Sequence, residues 1–154
     1  MINIRVYADT SVFGGIYDDD FQDESKEFFE EVKRSRFTLI TSAVVQAEIE
    51  PAPEKVKIFF NDMIEIAEIV DVSKEALQLR DAYLKAGIVT LKYSDDALHV
   101  ALASVSNCSL IVSWNFKHIV HFEKIPLYNA INILNGYSEI KFFSPLEVIK
   151  YEED

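Results

Sequence analysis

The chain has 154 residues, 49% hydrophobic and 27% charged, with four Gly, four Pro and a single cysteine, Cys108. That balance excludes a disordered or collagen-like chain, an internal disulfide and a membrane span of roughly 20 apolar residues, and Met1-Ile2-Asn3-Ile4-Arg5-Val6 lacks the apolar stretch of a signal peptide. Fifteen Lys and Arg against 26 Asp and Glu give a net charge of −11, which argues against passive nucleic-acid binding unless basic residues gather locally or cations intervene.

The expectation is one soluble cytoplasmic domain over 1–154, with no membrane association.

In chain order, Ile2, Ile4, Val6 and Ala8 alternate with polar residues and predict a strand ending at Asp9. A loop through Gly14-Gly15 and Asp18-Asp19-Asp20 then leads to a helix beginning near Ser25, with Ser25 as its cap and Phe28, Phe29 and Val32 inside. Phe37 to Thr41 is β-branched and apolar, a strand. A helix follows from Ser42 to about Glu50, stopped by Pro51 and Pro53. Glu54 to Ile64 reads as helix and Glu68 to Val72 as a short strand.

Ser73 to Ala86 is a helix with Ala76, Leu77, Leu79 and Tyr83 inside and Gly87 as its end signal. Ser94 is expected to cap a helix reaching about Ser106. Leu110 to Ser113 and Ile140 to Phe143 are strands flanking a helix over Pro126 to Asn135, ended by Gly136. Ser144-Pro145-Leu146-Glu147 has the order of cap, first-turn proline and capping-box glutamate, so a short last helix follows. Strands alternating with helices, several wholly apolar, predict an α/β fold with a parallel sheet covered on both faces.

In such folds ligands gather at the carboxyl ends of the strands. Asp9 ends the first strand, Glu48 lies on the helix leaving the second, Asp96 is in the first turn of the Ser94 helix, and Asn115 follows the Leu110 strand. Carboxylates brought together there raise one another's pKa, a penalty that a divalent cation with oxygen ligands removes. Such a site suits phosphodiester hydrolysis. Each residue also has a plain structural reading: Asp9 as a turn or cap, Glu48 as a solvent-facing helix residue with Glu50 its near twin, and Asp95 and Asp96 as anions favoured by the helix dipole.

Together the segments Ala8-Asp9-Thr10-Ser11, Thr41-Ser42-Ala43-Val44-Val45-Gln46-Ala47-Glu48, Asp96-Ala97-Leu98-His99-Val100-Ala101-Leu102-Ala103 and Val112-Ser113-Trp114-Asn115-Phe116 resemble a PIN domain over nearly the whole chain. The resemblance implies a three-layer α/β/α sandwich with a central parallel sheet. It further implies a Mg²⁺- or Mn²⁺-dependent endoribonuclease, as in the VapC toxins of type II toxin–antitoxin pairs, with RNA as substrate, an antitoxin partner that occludes the site, and a homodimer. Asp9, Glu48 and Asp96 match the family's metal-binding acids, and Thr10 and Ser11 match positions that orient the site. Asn115 stands where the family commonly has a fourth Asp; its amide adds no negative charge and cannot act as a base, which predicts weaker binding of one metal.

Among the neighbours, His99 shares a helix face with Asp96 and is expected to be a packed or hydrogen-bonded support. Asp95 is expected to be exposed, Phe116 to pack in the core and Cys108 to be a small buried hydrophobe. Trp114 has a ring able to stack on a base, while Lys117 and His118 are either phosphate contacts or a solvated loop. Two other classes stay open. One is a catalytically weak PIN-like scaffold acting through protein contacts, favoured by Asn115 and the net charge. The other is a haloacid-dehalogenase-like phosphatase, disfavoured because that family places a second Asp where this chain has Ser11.

Overall fold

A computed structural model describes residues 4–150; Ile2 of the first expected strand and the acidic run Glu152, Glu153, Asp154 lie outside them. Five strands, β1 (Ile4–Ala8), β2 (Phe37–Ser42), β3 (Glu68–Val70), β4 (Leu110–Val112) and β5 (Lys141–Phe143), form one sheet in the order β3-β2-β1-β4-β5. Every pairing is parallel, with Val6 level with both Leu39 and Leu110 and Ala8 level with Val112. The central strands are apolar on both faces because helices cover both: Val6, Tyr7, Ala8, Leu39, Ile40, Ile111 and Val112 are fully buried.

The helices are α1 (Thr10–Gly15), α2 (Gln22–Lys33), α3 (Ala43–Ile49), α4 (Glu54–Met63), α5 (Lys74–Lys85), α6 (Ser94–Val105), α7 (Ile125–Leu134) and α8 (Pro145–Ile149). Right-handed crossovers put α1–α4 on one face of the sheet and α5–α7 on the other. In keeping with this, α1 packs on α2 and α4, α5 packs on α6 and α7, and α8 returns to α2. The architecture is the expected α/β/α sandwich.

Most helix ends follow local chemistry. Ser42 and Ser73 accept from the backbone N–H three residues on, and Ser144 and Glu147 form the capping box. Gly87 and Gly136 have φ of 76° and 85° just past α5 and α7. There the next residue's N–H bonds back across the last turn, Ile88 to Tyr83 and Tyr137 to Asn132.

Three expectations are corrected. Residues 10–15 are helix rather than loop, because Asp9 caps them and buries Val12 and Phe13. Ser25 caps nothing; α2 starts three residues earlier, and Ser25 is fully buried inside it, accepting from the Trp114 indole at 2.8 Å. Ser94 is the first residue of α6 rather than its cap, since a 3₁₀ turn over Leu91–Tyr93 leads straight into the helix.

Candidate active site

The parallel register sets what stands beside what. Ala8 is level with Val112, so the residues that follow, Asp9 and Ser113, leave the sheet side by side at its carboxyl edge. Chain connections diverge between β1 and β4, which makes this crevice the switch point of the fold.

Asp9 is only 4% exposed and has extended backbone, with φ −82° and ψ −180°. One carboxylate oxygen, Oδ1, accepts from the Ser11 backbone N–H at 3.1 Å and the Ser11 hydroxyl at 2.6 Å, while Oδ2 accepts from the Ser113 hydroxyl at 2.6 Å. The same two serines bind the loop after β4: Ser11 Oγ accepts from the Trp114 N–H and Ser113 Oγ from the Asn115 N–H, both at 2.9 Å. Asp9 therefore orders that loop as well as its own helix. Burial pushes its carboxyl above the usual carboxylate range, against the opposing pull of His99 and the two serine hydroxyls, while the charge of Glu48 adds to the rise.

Glu48 reaches the site from α3. Its Oε1 accepts from Thr10 Oγ1 at 2.8 Å and lies 2.6 Å from His99 Nε2. Glu50, its near twin in the sequence, is instead the exposed C-cap of α3. Partial burial acts to raise the Glu48 carboxyl, but the hydrogen bond and charge of His99, with Thr10, outweigh it and hold the group below its ordinary value.

His99 is 2% exposed. Its Nδ1 lies 2.8 Å from the Tyr7 hydroxyl, which is itself 2.8 Å from Ser42 Oγ. A polar chain thus runs Ser42, Tyr7, His99, Glu48, Thr10, linking β2, β1, α6, α3 and α1, buried from Ser42 to His99 and open to solvent at Glu48 and Thr10. Burial alone would lower the His99 pKa; its bond to Glu48 and the charges of Asp9, Glu48 and Asp96 overcome this and raise it. His99 is thus both packed and hydrogen-bonded at each ring nitrogen.

Asp96 is half-buried in the first turn of α6, with the Asn115 side chain near its carboxyl. Burial raises its carboxyl, against the pull of His118, His99 and Asn115. The Asn115 amide oxygen accepts from the backbone N–H groups of Lys117 at 3.2 Å and His118 at 2.9 Å. Asn115 is thus both a neighbour of Asp96 and the anchor of its own turn.

All the residues singled out in the sequence, Asp9, Thr10, Ser11, Glu48, Asp96, His99 and Asn115, are linked to this one crevice by hydrogen bonds or mutual charge effects. Asp9, Glu48 and Asp96 all act on the buried His99, and the charge of Glu48 raises Asp9 as that of Asp9 raises Asp96, an acidic surrounding whose repulsion a hard divalent cation would relieve. Among the described residues no group of three or more His, Cys, Asp or Glu side chains is arranged to hold a metal ion; Mg²⁺ characteristically keeps several positions for water and substrate oxygens.

Sequence reasoning missed Tyr7, Ser42 and Ser113. Tyr7 lies two residues before Asp9 and so on the same face of the strand, and Ser113 is the register partner of the position after Ala8; both signals need the strand pairing to be legible. Phe116 corrects an expectation: it is 49% exposed rather than in the core, because the β4 loop turns it outward past Trp114. Trp114 stacks on Phe21 with centroids 4.1 Å apart, so its ring is engaged within the fold. Lys117 is exposed, His118 is buried, Asp95 is exposed and Cys108 is buried.

The fold is shared with solved structures of low sequence identity. A chain of VapBC2 from Rickettsia felis, crystallised bound to a DNA fragment from their promoter, superposes with a TM-score of 0.62 at 16% identity, covering 92% of this chain and 98% of that one. A chain of DNA-bound VapBC from Salmonella typhimurium gives 0.58 at 17% identity, with the same coverage of 92% and 98%. One of FitAcB from Neisseria gonorrhoeae gives 0.57 at 13% identity, again covering 92% and 98%. No curated protein sequence matches the chain. The PIN domain family model matches residues 6–119, which carry Asp9, Glu48, Asp96 and Asn115, and the chain belongs to the PIN domain family.

Proposed function

We propose that this chain is a divalent-metal-dependent endoribonuclease, formed as one domain over residues 1–154, and the toxin of a type II toxin–antitoxin pair in the cytoplasm. The observation that supports the reading is that Asp9, Glu48 and Asp96, from three separate elements, all act on the buried His99 near the switch point of a PIN fold. PIN domains are generally nucleases, and the VapBC and FitAcB complexes share the fold. By analogy with them, an antitoxin covers the carboxylate crevice; a homodimer is part of the same proposal.

In this reading Asp9, Glu48 and Asp96 would hold the metal, Mg²⁺ or Mn²⁺, with water and substrate oxygens filling its other positions. Bound there, it supplies charge neutralisation at the attacked phosphoryl group and activation of a water, with no protein nucleophile required. Ser11 and Ser113 aim the Asp9 carboxylate and favour its charged form against the burial that raises its pKa, since each donates to it. Thr10 and His99 do the same for Glu48 and fix its rotamer. Asn115 orients Asp96 and adds a neutral donor where the family commonly has an acid, so the site carries one negative charge fewer.

One observation favours a second reading, a scaffold with weak catalysis: the Asn115 carbonyl is already engaged by the Lys117 and His118 amides. Calorimetric titration with Mn²⁺ separates the two. The expected result is binding by the wild type that is lost in an Asp9→Asn/Asp96→Asn variant, together with Mn²⁺-dependent RNA cleavage lost in the same variant. Equal Mn²⁺ binding by both proteins, or no RNA cleavage by a wild type that binds Mn²⁺, overturns the ribonuclease reading.

A further inference from the structure

In a chain of net charge −11, two lysines converge on the ring of Tyr93, on the turn that leads into α6. Tyr93 immediately precedes α6 and lies three residues before Asp96. Lys92 Nζ is 5.5 Å from the Tyr93 ring centroid and Lys117 Nζ is 5.7 Å from it. Both lysines are exposed, and neither makes an ion pair with a described residue. They come from different parts of the chain, one from the turn before α6 and the other from the loop after β4, and converge on one ring.

The platform beneath them is built. His118 is 9% exposed, stacks on Tyr93 with centroids 3.8 Å apart, and both of its ring nitrogens are buried without a hydrogen-bond partner. A buried polar ring left unpaired is costly. What it provides is a flat support for Tyr93, held by two backbone anchors: its N–H donates to Asn115 Oδ1 and its carbonyl accepts from the Tyr128 hydroxyl at 2.8 Å. The Lys117 N–H donates to the same Asn115 oxygen. The Asn115 side chain also lies near the Asp96 carboxyl, so the turn that carries Lys117 is tied to the neighbourhood of that acid.

We propose that Lys92 and Lys117, seated on Tyr93 and His118, form a phosphate subsite that takes a backbone phosphate of single-stranded RNA adjacent to the one cleaved at Asp9, Glu48 and Asp96. The subsite rests on the ribonuclease reading above and names how an acidic protein holds an anionic strand. Two cations offset the repulsion of the −11 surface where the strand must approach it. The aromatic and imidazole rings limit the lysine side chains to one side of the crevice, so the phosphate is placed as well as attracted. These are positioning residues.

The test is the salt dependence of binding, followed by fluorescence anisotropy of a labelled single-stranded RNA with Ca²⁺ in place of Mn²⁺. Each phosphate contact on a single strand contributes about 0.7 to the slope of log K against log salt. A Lys92→Gln/Lys117→Gln variant is expected to lose about 1.4 from that slope, which between 1 M and 0.1 M salt amounts to about 25-fold weaker binding. A Lys74→Gln/Lys85→Gln variant, with both changes on exposed positions of α5, alters net charge equally and is expected to keep the wild-type slope. In Mn²⁺ the first variant is expected to raise KM for RNA with kcat little changed. If the wild type cleaves RNA and the Lys92/Lys117 variant binds and cleaves like it, or if the α5 control loses as much, the subsite alone is overturned. A wild type that neither binds nor cleaves RNA overturns the subsite and the ribonuclease reading together.

Discussion

Tyr7 offers the sharpest test of the polar chain. Its side chain is fully buried, and its hydroxyl stands between Ser42 Oγ and His99 Nδ1, 2.8 Å from each. Tyr7→Phe keeps the ring and its packing and removes only that oxygen. Ser42 Oγ retains its bond from the Val45 N–H, so most of the cost falls on His99 Nδ1, left buried and unpaired. An orphaned buried polar group costs about 1–3 kcal/mol, and about 2 kcal/mol is expected here. For a chain of this size that corresponds to a Tm lower by roughly 4–8 °C. Urea unfolding followed by the emission of Trp114, the single tryptophan, measures it directly, with an unchanged m-value as the sign that native compactness is kept. RNA cleavage should fall as well, since the histidine that positions Glu48 has lost its own anchor. A loss below about 0.5 kcal/mol at constant m would mean that Tyr7 does not carry the chain, and the account of Glu48 positioning would fail with it.

Gly15→Ala tests the joint between α1 and the β4 loop: an added Cβ would lie 2.5 Å from Ser25 Oγ and 2.9 Å from Trp114 Nε1. Overpacking there should cost about 1–3 kcal/mol and shift the Trp114 emission; a stable variant with unchanged emission would contradict the contact. The coupling of Glu48 and His99 predicts a pH window. The lowered Glu48 pKa contributes stability that is lost as pH falls through it, and the raised His99 pKa contributes stability that is lost as pH rises through it. The stability difference between wild type and Glu48→Gln should therefore be largest between those two values and shrink on both sides, and a difference independent of pH would count against the pair. Cys108 is 4% exposed and its thiol is pushed up to about 12 by burial. A thiol reagent at pH 8 should modify the native protein only as fast as it opens and the urea-unfolded chain rapidly; prompt labelling of the native state would place the thiol at the surface.

Much of this protein was legible in its sequence because the signals are local. Apolar runs of β-branched residues mark strands buried on both faces, Ser42, Ser73 and Ser144 mark helix starts, and Gly87 and Gly136 mark helix ends, since each acts within one turn of the backbone. Asp9, Asp96 and Asn115 could be placed near one edge for the same reason: each follows a strand or opens a helix, and a parallel sheet brings such positions to one side, whereas Glu48 sits near the far end of α3.

The tertiary structure alone decided the rest. The helix of residues 10–15 exists because Asp9 caps it and the core receives Val12 and Phe13, not through propensity; two of its six residues are glycine. Ser25 looked like a cap and serves as the acceptor for an indole 89 positions away. Tyr7 and Ser113 enter the site through strand register, and His99 earns its role from the Glu48 carboxylate across the crevice. Lys92 and Lys117 meet on one ring only after α6 and the β4 loop are packed together. Local rules set where elements begin and end, whereas the partners of a polar side chain depend on which distant segments the core places beside it.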